Sequence, residues 1–235
     1  MKYLSGLLFM GMLSLSAHAQ NGFYIAPSAG AGISNSTESV YAVGVDGYVS
    51  PNHKSPIFSN NLQFGIGYQY KNWRFQAGIQ YFKSGYKIDN LVLGVDFDPI
   101  YKSISGSGSY KVAINQVGIP LQVGYAIPFS NKLSLVPYVG VLSSFTFSGN
   151  SKFNEPGKLT SNSELSGAAL NDYGRFTFWG LTGAQLEYKL NDKVSIFGGP
   201  SVQYKLGSTG NDHQQNFYNL NFNIGMKINL KKKGK

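Results

Sequence analysis

The sequence predicts an all-β protein, a closed antiparallel up-and-down transmembrane β-barrel of about eight strands. Three observations carry that expectation. Apolar side chains recur at every second position over long stretches, the period of a strand with two unlike faces. The connections between these stretches alternate between very short and long. The bulky apolar face carries no charge, while the opposite face is mostly Gln, Asn, Ser and Gly.

The elements follow in order along the 235 residues. Residues 1–19, "MKYLSGLLFMGMLSLSAHA", have the form of a cleaved signal peptide. Lys2 gives the positive start, an apolar run follows from Leu4 to Leu15, and Ala17-His18-Ala19 supplies a small-x-small cleavage pattern. The run is shorter than the roughly 20 residues a spanning helix needs, which argues against a membrane anchor. Gln20 is then the first mature residue, and residues 20–230 form the barrel.

A first, weaker strand opens with Phe23 and Ile25. "LQFGIGYQY" (62–70) and "WRFQAGIQY" (73–81) follow, separated only by Lys71-Asn72. "QVGIPLQVGYAI" (116–127) puts Val117, Ile119, Leu121, Val123, Tyr125 and Ile127 on one face. The stretches 133–147, 184–190, 194–206 and 218–230 repeat the pattern, the last with Tyr218, Leu220, Phe222, Ile224, Met226, Ile228 and Leu230. Short turns at Lys71-Asn72, "PFSNK" and "NDK" each contain an Asn (Asn72, Asn131, Asn191), a residue that tolerates left-handed backbone. Residues 34–60, 88–109, 149–172 and 208–216 read as longer loops. Long loops at one end and short turns at the other mark an outer-membrane barrel, with both termini periplasmic and the loops extracellular.

The faces decide between a soluble and a membrane barrel. A soluble barrel of lipocalin type would turn the bulky face inward and the other to water. Soluble surfaces carry about 25–35% charged residues. Here the non-bulky face of the strands carries only Arg74, Glu187, Lys189, Lys205 and Lys227, which suits a hydrogen-bonded interior. A charge at the bilayer midplane costs about 2–4 kcal/mol, so the uncharged bulky face belongs against lipid. Tyr68, Tyr70, Trp73, Tyr125 and Tyr188 near the turns, with Tyr204 and Tyr218 near the loops, fit two interfacial girdles. Pro27, Pro120, Pro137 and Pro200 lie inside strands, where each removes a ladder donor, and bulges are expected there. A change of register is expected between Ile114 and Val117.

The formal net charge of +9 includes Lys2 and the four lysines of the tail, residues 231–235; without those five it is +4. No basic stripe remains to recognise nucleic acid. The tail "KKKGK" is expected in the periplasm. With no Cys, disulfides and thiolate chemistry are excluded.

On "QVGIPLQVGYAI", "LSLVPYVGVLSSF", "VSIFGGPSVQYKL" and "YNLNFNIGMKINL", the mature chain resembles the small outer-membrane barrels of Bacteroidetes, the PorT-like and OmpX/OmpA-like eight-stranded group of these Gram-negative bacteria. The resemblance implies an integral outer-membrane protein. Its PorT-like members imply an accessory role in protein secretion or envelope assembly, although no residue here carries that role over. The chain departs from the aromatic ending of many outer-membrane strands, because Leu230 is followed by the lysine tail.

Chemistry is sparse. Arg74, Glu187, Lys189 and Lys227 all fall towards the turn end of the lumen and read as a structural charge network, with an ion gate as the sharper alternative. Lys205 sits towards the loops, near Asp172 or Asp212. The mature chain has two His, His53 and His213, both in loops; Asp212-His213 and the pair Asp96/Asp98 are the weak candidates for a catalytic dyad or a Ca²⁺ site. Gly30-x-Gly32 and Gly106-x-Gly108 lack the following helix of a phosphate loop. The expectation is therefore a non-enzymatic, porin-like surface barrel without cofactor or metal, acting through Tyr41, Tyr48, Phe58, Tyr101 or Phe153 in its loops. A secretion accessory, a narrow channel and an outer-membrane enzyme are the alternatives. Expected partners are membrane lipids and lipopolysaccharide, the barrel-insertion machinery, and a surface ligand or secretion partner, with the protein itself a monomer.

Overall fold

The computed structural model describes residues 21–37, 40–43, 49–52, 54–93, 106–154, 161–165, 170, 173–209 and 216–230. The expected signal peptide, the lysine tail, His53, Asp96, Asp98, Asp172, Asp212 and His213 lie outside them, as do Tyr48 and Tyr101 and the side chain of Tyr41. Eight long strands form the molecule: β1 (Gly22–Ser36), β2 (Ile57–Tyr70), β3 (Trp73–Leu93), β4 (Gly106–Tyr125), β5 (Leu133–Asn154), β6 (Phe176–Lys189), β7 (Val194–Thr209) and β8 (Phe217–Asn229). Each pairs antiparallel with its neighbours in sequence. β8 closes on β1, from Tyr24 opposite Asn229 to Ser36 opposite Phe217. Closure leaves no free edge, the condition for strands to cross a bilayer. No helix among the described residues is long and apolar enough to cross a membrane.

The outward face is the bulky one. Val117, Ile119, Leu121 and Val123 are exposed while Gln116, Gly118, Pro120 and Gly124 are buried. The same holds for Leu62, Phe64 and Ile66 on β2 and for Phe222, Ile224 and Met226 on β8. Side chains that remain this exposed require a hydrocarbon solvent. At the turn end the rings of Phe23 and Tyr68 lie 5.0 Å apart, and those of Trp73 and Tyr125 5.1 Å apart, a partial girdle.

β3, β4 and β5 have 21, 20 and 22 residues, about twice the span of a bilayer. Residues 88–93, 106–109 and 149–154, expected as loop, are therefore strand. Ser161–Leu165 folds back on the loop end of β5, and Val40–Val43 pairs with Val49–Asn52. The reason lies in an inversion of polarity along each strand. Beyond Tyr81 the inward residues become apolar (Phe82, Tyr86, Ile88) and the outward ones polar (Lys83, Lys87). β4 changes the same way: Val112 and Ile114 point inward, Lys111 and Asn115 outward. The extension is thus built like a water-soluble sheet stacked on a membrane barrel.

Three expectations meet different outcomes. No register shift occurs at Pro27, Pro120, Pro137 or Pro200. Each proline stays in register with one neighbour, opposite Phe64, Leu142, Ala184 and Phe222 respectively, and the ladder is merely interrupted on its other side. An antiparallel residue bonds to one side only, so a missing N–H need not displace the strand. Secondly, the expected change of register is present between Asn115 and Gln116: Asn115 faces Ser148 but Gln116 faces Thr146, Phe147 of β5 is the extra residue, and β4 keeps its own alternation. Thirdly, the turn asparagines are not left-handed. Lys71 carries the positive φ of 54°, Asn191 accepts from the amides of Lys193 and Val194 at 2.8 and 2.9 Å, and Ser130 caps its turn in place of Asn131.

Candidate functional site

The lumen is layered, and the layers follow from which residue types fall on the inward parity. At the turn end Arg74 is the second residue of β3, Glu187 lies near the end of β6, and Lys227 near the end of β8. These strands are not neighbours, so the three meet only because the barrel closes. Arg74 Nη1 donates to Glu187 Oε2, and Lys227 Nζ lies 2.7 Å from Glu187 Oε1. Lys227 also donates to Gln69 Oε1 at 3.2 Å and stands 5.9 Å from the Tyr24 ring. All three charges are at most 8% exposed, and one carboxylate serves two cations. A small cavity lined by Tyr24, Gln76 and Gln122 lies beside them.

Lys189 does not join this group. It is half-exposed and pairs at 2.8 Å with Asp192 in the next turn. As the last residue of β6 it can carry its ammonium to water, which a deeper lysine cannot. Its hydrogen bond holds the Asp192 carboxyl below the usual range.

The middle of the lumen is a lattice of amides and hydroxyls. Asn61 donates to Asn223 Oδ1 at 3.0 Å, Asn223 to Ser201 at 2.7 Å, and Asn219 to Gln203 at 3.2 Å. Above it, Gln116 is fully buried and tied on both ends of its amide. Its Nε2 donates to Ser84 Oγ at 2.8 Å, and its Oε1 accepts from Ser144 at 2.8 Å and Thr177 at 3.0 Å. The indole N–H of Trp179 donates to Thr177 Oγ1 at 2.9 Å and lies 3.1 Å from Ser144 Oγ. Such a satisfied network fixes one arrangement, because any broken member leaves a buried polar atom unpaired.

The loop half is closed by an apolar plug of Phe82, Ile114, Leu142, Trp179, Leu181 and Phe217. Phe82 and Trp179 meet edge to face at 5.3 Å. The expected filling is hydrophilic throughout, and this plug departs from it. The signal was present: Trp179 and Phe82 stand on the inward parity, next to the outward Phe178 and Tyr81. Lys205 is 2% exposed, donates to the Tyr173 carbonyl at 3.3 Å and lies 5.6 Å from the Phe217 ring. Burial drives the Tyr173 hydroxyl well above the ordinary tyrosine range. Gly106 and Gly108 belong to β4, and Gly30 and Gly32 to β1. Among the described residues no three His, Asp or Glu side chains gather as a metal site.

Among curated proteins no sequence matches significantly. Similar solved structures are found at low identity. Neisserial surface protein A is 15% identical, with 89% of this chain and 97% of that one covered and a TM-score of 0.40. OprG from Pseudomonas aeruginosa is 11% identical (93% and 100% covered, TM-score 0.44). A major outer membrane protein from Thermus thermophilus is 15% identical (88% and 99% covered, TM-score 0.45). Residues 5–227 match the family described as outer membrane protein beta-barrel domain, and the chain therefore belongs to that family of outer-membrane barrels.

Proposed function

We propose that this outer-membrane barrel is a non-enzymatic, non-conducting surface protein that works through its loop end, held outside the cell. The carrying observation is the closed lumen. The ionic group, the Gln116 knot and the Phe82–Trp179 plug fill successive layers of the lumen. Function then falls to the part that stands beyond the bilayer, the extensions of β3, β4 and β5 with their joining loops. A surface ligand is the partner this reading implies. The signal sequence would deliver the chain, leaving Gln20 as its first residue. The PorT-like secretion role rests on the resemblance alone.

Two measurements test the reading. Planar-bilayer recordings of the purified protein should give no steady current; a stable open level would refute a closed lumen. Protease added to intact cells should cut between β3 and β4 or between β5 and β6. Cleavage only after the outer membrane is broken would place the loop end in the periplasm and remove the surface role.

A further inference from the structure

Three lysines stand side by side across the extension. Lys87 on β3 is opposite Lys111 on β4, and Lys111 is opposite Lys152 on β5. Directly opposed residues have Cβ atoms about 5 Å apart, and like charges so placed destabilise a sheet. All three lie on the outward parity, since Tyr86, Ile88 and Val112 beside them are buried. Lys83 stands on the same face, four residues nearer the membrane on β3. The described acids there are Asp89, 2.5 Å from Lys87, and Glu164, opposite Asn150. Among the described residues, four lysines against two carboxylates leave this face positive.

The height of the row identifies its counter-charge. On β3 and β5 the apolar belt below ends at Tyr81 and Phe147, whose rings lie 6.2 Å apart. Lys83 is two residues beyond Tyr81 and Lys87 six. With strands rising about 3.3 Å per residue and tilted about 40°, these are heights of about 5 and 15 Å. A phospholipid headgroup layer is about 5–8 Å thick, so it reaches Lys83 but not the row. A lipid with a phosphorylated saccharide head reaches both. Between the two heights lies a polar step: the Tyr81 hydroxyl donates to Asn115 Oδ1, and Asn115 Nδ2 to Ser148 Oγ, each at 3.0 Å.

We propose that the outer face of the β3–β4–β5 extension binds the phosphorylated saccharide head of an outer-leaflet glycolipid, with Lys87, Lys111 and Lys152 on its phosphates and Lys83 at its base. The assignment rests on the proposed orientation, loop end outward.

The test uses the full-length protein in zwitterionic detergent, immobilised and titrated with deep-rough lipopolysaccharide. The K87Q/K111Q/K152Q variant should bind more than about tenfold more weakly, the loss expected when charge-assisted contacts to phosphate are removed. The K87R/K111R/K152R variant should retain binding. Heat-modifiable gel mobility confirms that each variant is folded, and the single Lys111→Gln change at the centre of the row gives the same reading if the triple change does not fold. Unchanged affinity in the glutamine variants overturns the proposal. So does equal displacement by phosphatidylglycerol at matched phosphate, or tighter binding of a soluble sulfated glycan than of lipopolysaccharide. Protease added to intact cells separates orientation from binding. Cleavage between β3 and β4 or between β5 and β6 only after the outer membrane is broken overturns the orientation and the site with it; cleavage on intact cells combined with unchanged lipopolysaccharide affinity overturns the site alone.

Discussion

Glu187 serves two buried cations at once, which ranks the effects of removing each member. Glu187→Gln leaves Arg74 and Lys227 buried without a counter-charge and should cost about 3–5 kcal/mol in urea unfolding from detergent. Lys227→Met leaves the Arg74–Glu187 pair intact and should cost clearly less. The reverse ranking would show that Glu187 is not what holds the two cations. Trp179→Ala empties the most voluminous of the fully buried side chains and frees the Ser144 and Thr177 hydroxyls; a loss of about 3–5 kcal/mol is expected by the same measurement. The inward position of Arg74, Glu187 and Lys227 was legible, because parity alone sets it. Which of them meet was not, since β3, β6 and β8 come together only through the diameter of the closed barrel. Lys189 shares the parity of Glu187, and only its distance from the turn separates a buried ion from a solvated one.

At the scale of the strand, alternation was readable wherever one face is bulky and the other small or polar. It failed where the apolar residues change sides. Ile114 and Val117 both follow the pleat of β4, one into the lumen and one into lipid, and the register change expected between them is carried by Phe147 of β5. The strand prolines misled: the missing donor was legible, but not that the other neighbour would keep the register. Gly85 marks a tighter constraint. Its φ is +157°, its N–H donates to Ser34 Oγ at 2.9 Å, and a Cβ there would collide with the Val112 carbonyl and come within 2.7 Å of Ile57 Cδ1. Gly85→Val should therefore lower stability by about 1–3 kcal/mol, seen as a lower temperature of heat-modified gel migration. In the turn after β6, the contribution of Asp192 is present at neutral pH and is lost as pH falls through the carboxylate range. Asp192 is fully exposed, so salt should abolish that pH dependence, and Asp192→Asn should remove it at any ionic strength.

For the whole molecule, a sequence with two unlike faces predicted a barrel but not how its middle would be filled. Polar residues dominate the inward parity near the turns, with Tyr24, Val136 and Phe197 interspersed among them, and the larger apolar cluster lies near the loops. The plug therefore becomes visible only when Phe82, Ile114, Leu142 and Trp179 are brought from four strands to one level. A double Phe82→Ala, Trp179→Ala barrel that still folds should pass small ions where the native protein does not. Bilayer recordings that stay silent for this variant would place the barrier in the Gln116 network or the ionic layer instead.

The lysines carry one more consequence, for biogenesis. Lys71, Lys132 and Lys193 occupy the turns, and Lys83, Lys87, Lys111 and Lys152 the opposite rim. Whichever rim enters last, the other must be threaded through hydrocarbon with several ammonium groups, each costing about 2.5–3.5 kcal/mol at the centre of the bilayer. Unassisted insertion into intact vesicles should be slow for that reason, and thinning the bilayer or supplying an insertase should accelerate it sharply.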